Sequence, residues 1–156
     1  MLEQIRRLLR SLEEPGRRPT LADDPRVAAA ALLVHVAEAD GAFTQAEGDR
    51  LRALLQREFG IGEAEAADLL AKGRRADAEA IDLYGFTSVL MSRMDETARI
   101  SFVEVVWSLI YADGDVHELE DNLAWRIAEL LGVSSADRMS LKREASRRAG
   151  LAGSTA

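Results

Sequence analysis

A chain of 156 residues, 47% of them hydrophobic, is long enough to bury one real core and too apolar for wholesale disorder. It has no Cys, which excludes disulfides, thiolate metal sites and Cys nucleophiles, and no apolar run near the ~18 residues of a membrane span. The net charge of −7 is unevenly placed: five Arg stand against three Glu in residues 1–19, five basic residues against one Glu in 138–148, and the remainder carries −13, an acidic body that argues against a nucleic-acid groove there and suits cations or a basic partner.

With only 3 Pro and 11 Gly among abundant Ala, Leu, Arg and Glu, helix is the expected state. Residues 2–13 set Leu2, Ile5, Leu8, Leu9 and Leu12 at helical spacing. This is a short amphipathic helix, expected to pack on the domain or on a second copy. Its mixed charges do not make a secretory signal, and a cytoplasmic protein is expected. Residues 14–19 read as a linker, so 1–21 form a helix and linker ahead of a helical domain over 22–149.

Asp23-Asp24-Pro25 combines a favoured N-cap with a proline suited to the first turn. The helix it opens is apolar on nearly every side from Val27 to Ala37, which predicts a central position. Asp40-Gly41 is expected to stop it. Thr44 and Glu47 make a capping box for the next helix, which carries Leu51, Leu54, Leu55 and Phe59 and ends at Gly60. A helix is then expected over 63–73, ending at Gly73, and another over roughly 79–93, capped by Asp77, with Ile81, Leu83, Tyr84, Phe86, Val89, Leu90 and Met94 apolar.

Asp95-Glu96 opens a second strongly apolar helix, Ile100 to Ala112, which Asp113-Gly114 ends. The helix after it presents Leu123, Ile127, Leu130 and Leu131 and stops at Gly132. Ser134 or Ser135 caps a last helix to about Arg148, basic on its outer face, and 150–156 is expected to be a disordered tail. Asp113, Gly114 and Glu120 lie 73 residues after Asp40, Gly41 and Glu47. The fold expected is therefore all-α, with about eight helices and an internal pseudo-two-fold repeat of helix–acidic loop–helix units.

The candidate chemistry lies in the loop carboxylates Asp40, Glu47, Asp113, Asp115, Glu118 and Glu120. Oxygen donors of this kind suit hard cations such as Ca2+, Mg2+ or Mn2+. The pattern is not an EF-hand, because counting from Asp113 puts Glu118 at the sharp-turn Gly and Ala124 at the bidentate Glu. Helix capping is the favoured account of Asp-Gly and the third-position Glu, and it explains Asp115 least; since Ala42 stands at that place in the first loop, any metal site should be better formed in the second. His35 is expected to be a buried, hydrogen-bonded histidine, His117 a cap substitute, and Trp107 and Trp125 core residues. Two His and no Cys do not suit zinc or haem, and neither a nucleotide nor a flavin is expected. No Gly-x-Ser-x-Gly elbow or Gly-rich phosphate loop is present, so no enzyme is expected.

The stretches Asp24–Leu33, Ala39-Asp-Gly-Ala-Phe43 with Glu47, Asp82–Thr87, Tyr111–Asp115 with Glu120, and Leu130–Val133 follow one another at a spacing that resembles the tellurite-resistance TerB-like family, over about residues 22–147. The resemblance implies an all-helical fold with an internal repeat and a link to stress response. It also implies metal binding by Asp40, Glu47, Asp113 and Glu120. Two functions stay open: a non-enzymatic module that binds a divalent cation, and a helical interaction or scaffold domain, with a protein partner or as a homodimer, whose acidic loops are only caps.

Overall fold

The structure, a computed structural model, describes residues 24–39, 41, 43–112 and 118–153. The amphipathic helix and linker expected over 1–21, and Asp40, Asp113, Gly114, Asp115 and His117, lie outside these residues, as does the side chain of Glu118. Seven helices and no strand are found among the described residues: α1 (Pro25–Ala37), α2 (Gln45–Phe59), α3 (Glu63–Glu79), α4 (Tyr84–Arg93), α5 (Glu96–Tyr111), α6 (Glu118–Leu130) and α7 (Ser135–Gly153).

Local chemistry sets most of the helix ends. Asp24 accepts the Arg26 N–H at 2.9 Å with Pro25 behind it, Asp95 accepts the Ala98 N–H at 2.8 Å, and Ser134, not Ser135, accepts the Asp137 N–H at 3.2 Å. α2 and α6 close in similar ways. Gly60 and Gly132 take left-handed backbone (φ +61° and +69°), and the next residue, Ile61 or Val133, donates its N–H to a carbonyl five residues back. α1 ends earlier than expected, at Ala37; a turn through Glu38 and Ala39 follows, and Gly41 (φ +90°) donates to the Glu38 carbonyl.

α1 is the centre of the core. Every residue from Val27 to Val34 is buried, and the helix packs against α2, α3, α4, α5 and α6. An all-round apolar surface leaves it no stable place at the periphery. α5 is less enclosed: Phe102, Val103, Val106, Trp107 and Ile110 form a buried stripe, and its main neighbour is α7. The four consecutive alanines Ala28–Ala31 keep one side of α1 thin, and α3 comes in close there.

This close approach overturns the expected stop at Gly73. α3 runs through Gly73 to Glu79. A Cβ at Gly73 would stand 2.8 Å from the Ala30 Cβ and 3.0 Å from its backbone carbon. The glycine is thus a contact point between helices, and its interior helix cost of about 1 kcal/mol is offset by that packing. Asp77 consequently lies inside α3 and caps nothing; Asp82 accepts the Tyr84 N–H at the start of α4. α4 is shorter than expected, and two residues assigned to its apolar set are exposed: Ile81, fully so, and Tyr84. Both fall at the α3–α4 junction, where the chain rounds a corner between helices. α7 continues to Gly153, past the end expected near Arg148.

Candidate functional site

The C-terminal ends of the two apolar helices and the first turns of the two that follow them meet at one small cavity. Its lining comes from Val36 and Ala37 of α1, Glu47 and Arg50 of α2, Leu109 and Ile110 of α5, and Glu120 of α6. Its volume, about 20 Å³, has room for about one water-sized body. Glu47 and Glu120, two of the six candidate carboxylates, are therefore brought together although 73 residues separate them. Both sit in the first turn of a helix, where the dipole favours a carboxylate. The ends of α1 and α5 add the negative poles of two further helices. Arg50 supplies positive charge to the same space. It is one turn beyond Glu47, and local sequence had not singled it out; an Arg three residues after a capping Glu is the available signal.

The capping function of this region is also visible. Thr44 accepts the Glu47 N–H at 3.2 Å, the expected half of the capping box. Phe43, in the first acidic loop, packs against the core, with the Arg74 guanidinium 4.4 Å from its ring centroid. This clamp ties the loop to α3. Among the described residues, no group of three or more His, Asp or Glu could hold a metal ion. The remaining candidates, Asp40, Asp113 and Asp115, lie outside those residues, and so does the side chain of Glu118.

His35 is hydrogen-bonded as expected but only half-buried: its Nδ1 stands 2.8 Å from Asp77 Oδ1, and 43% of its side chain is exposed. The Asp77 hydrogen bond raises the His35 pKa above its ordinary value, with burial opposing and the charges of Asp77 and Glu38 assisting. The pair links α1 to α3 away from the cavity.

A second, larger opening lies between the end of α5, α6 and α7. About 550 Å³ in volume, it is lined by Tyr111, Trp125, Met139, Lys142, Arg143, Ser146 and Arg147. Trp107 is fully buried as expected, but Trp125 is half-buried and faces this groove. The two indoles meet edge to face at 5.6 Å. Lys142 Nζ lies 5.4 Å from both ring centroids and pairs with Asp121 at 2.8 Å. Glu144, hydrogen-bonded first by Arg147 and then by Arg148, has its carboxyl held down at about 2. The spacing 139, 142/143, 146/147 is a helical period and was the sequence signal for this face.

No helix among the described residues is long and apolar enough to cross a membrane. The family model for Tellurite resistance protein TerB matches residues 26–143. The chain is 33% identical over 107 residues to the co-chaperone protein DjlA of Vibrio vulnificus strain YJ016, and 32% identical over 107 residues to that of strain CMCP6. Each alignment covers 67% of this chain and 37% of the relative, so the chain spans little more than a third of the length of these curated relatives. No solved structure matches. The cavity that joins Glu47 to Glu120 lies within the matched span, as do all seven stretches of helix in whole or part, and the chain belongs to the TerB family.

Proposed function

We propose that this chain is a non-enzymatic cytoplasmic module that holds a divalent cation where its two acidic loops converge, and that it serves a stress response such as tellurite resistance. The carrying observation is the meeting of Glu47 and Glu120 at one cavity. Asp40, Asp113 and Asp115 stand close to these glutamates in sequence and would complete the ligand set, while Arg50 is the basic residue that lines the cavity with Glu47 and Glu120. Carboxylate oxygens fit Ca2+, Mg2+ or Mn2+, and Arg50 alone does not balance them. The similar closures of α2 and α6 and the paired glutamates support an internal pseudo-two-fold repeat, with the second loop, which has Asp115 where the first has Ala42, the better ligand set.

Arg50 also favours a second function, a helical interaction or scaffold domain in which an arginine takes the cation's place and the loops are caps. The DjlA relatives are named co-chaperones, which supports a protein partner for it. Calorimetric titration of metal-free protein with Ca2+, Mg2+ and Mn2+ separates the two. Cation binding is expected, lost in Asp113→Ala/Asp115→Ala and weakened in Glu47→Gln/Glu120→Gln. Absence of binding heat at about millimolar ion, the weak end of the natural range for calcium modules, leaves the scaffold function standing.

A further inference from the structure

The groove between the end of α5, α6 and α7 has no part in the acidic-loop site. We propose that it is a docking site for an acidic peptide segment of a partner protein, with one aromatic or large apolar side chain as its anchor. Its volume of about 550 Å³ falls within the range of about 300–1,000 Å³ usual for ligand pockets. Among the described residues, no acidic side chain lines it. Tyr111 and Trp125 offer ring surface, and Met139, 48% exposed, offers an adaptable apolar contact.

The positive charge is partly fixed and partly available. Lys142 is held over both indoles and by Asp121, so its ammonium is already positioned when a carboxylate arrives. Arg147 shares Glu144 with Arg148. Arg143 is exposed on the groove and has no ion pair among the described residues. Residues 138–148, with five basic residues and one Glu, form a strongly basic stretch in a chain of net charge −7. Charge complementarity therefore selects an acidic ligand. A short peptide fits this local patch better than a nucleic acid, because a polyphosphate strand leaving the groove would run over a body carrying −13.

The test uses the full chain and a fluorescein-labelled peptide of alternating Asp and Glu with a central Phe, read by anisotropy and by Trp fluorescence. Binding is expected, with loss of about tenfold in affinity on Arg143→Glu and a similar loss when the acids become Asn and Gln. Met139→Ala and a central Phe→Ala peptide should each weaken it severalfold. Circular dichroism checks that the variants fold; Arg143 is exposed, so its reversal should leave the helices intact. Equal binding of the neutral peptide, or unchanged affinity in Arg143→Glu, overturns the proposal. Tighter binding of single-stranded oligothymidylate than of the peptide replaces it with a nucleic-acid site. Self-association in sedimentation that Arg143→Glu abolishes makes a second copy the occupant and equally overturns it.

Discussion

His35 and Asp77 make a titratable link between α1 and α3. The folded-state pKa of His35 is raised, so the charged pair stabilises the fold fully below the ordinary histidine value of about 6.5 and loses that contribution as pH rises through the folded value. The half-exposed pair is worth about 1 kcal/mol or less. Asp77→Asn should therefore lower the thermal midpoint at pH 6, and the gap to the parent chain should narrow toward pH 8. A gap that stays constant across that window assigns the contact no electrostatic role. Thr44 offers a separate test, since its hydroxyl caps α2 beside the cavity. Thr44→Ala should cost about 1 kcal/mol in chemical denaturation, whereas Thr44→Ser should cost little.

α1 and α3 pack closely because alanine faces glycine at the contact. Gly73→Ala gains helix propensity but drives a methyl to within 2.8 Å of the Ala30 Cβ. The overpacking, typically about 1–3 kcal/mol, exceeds the propensity gain of about 1 kcal/mol, so net destabilisation is expected. Ala30→Gly in the same chain removes the methyl it strikes and should restore part of the loss. The restoration should be incomplete, because the Ala30 backbone carbon is also near, at 3.0 Å. Unfolding of the two single variants and the double variant measures the coupling; simple additivity would show that the two residues do not oppose each other.

Across the whole molecule, the cavity joins the two helix–loop–helix stretches, with Arg50 as its cation. Arg50→Ala leaves Glu47 and Glu120 lining the same cavity with less opposing charge. Under the cation-binding proposal this variant should be destabilised in chelator, and millimolar Mn2+ or Ca2+ should recover most of the loss in thermal melts. Should the ion make no difference, the arginine itself is the cavity's permanent counter-charge. The groove on α7 lies at the other side of α5's last turn, through Tyr111, and its tests use different residues, so either site can fail without the other.

The sequence by itself determined where most helices begin and end, and that α1 lies in the middle. Those signals act within one turn: Asp24, Thr44, Asp95 and Ser134 bond to amides two or three residues on, and Gly60 and Gly132 turn the chain locally. It also named Glu47 and Glu120 as equivalent, by spacing alone. Only the tertiary structure decided what lies opposite each residue. Gly73 looks like a stop until Ala30 is placed against it, Asp77 looks like a cap until His35 reaches it, and Ile81 looks apolar and inward until the chain is seen to turn there and expose it. The same holds for the sites: that Arg50 lines one cavity with the two glutamates, and that Trp125 shares a groove with Lys142, Arg143 and Arg147, follows from helix packing between segments far apart in the chain, which no local pattern of residues encodes.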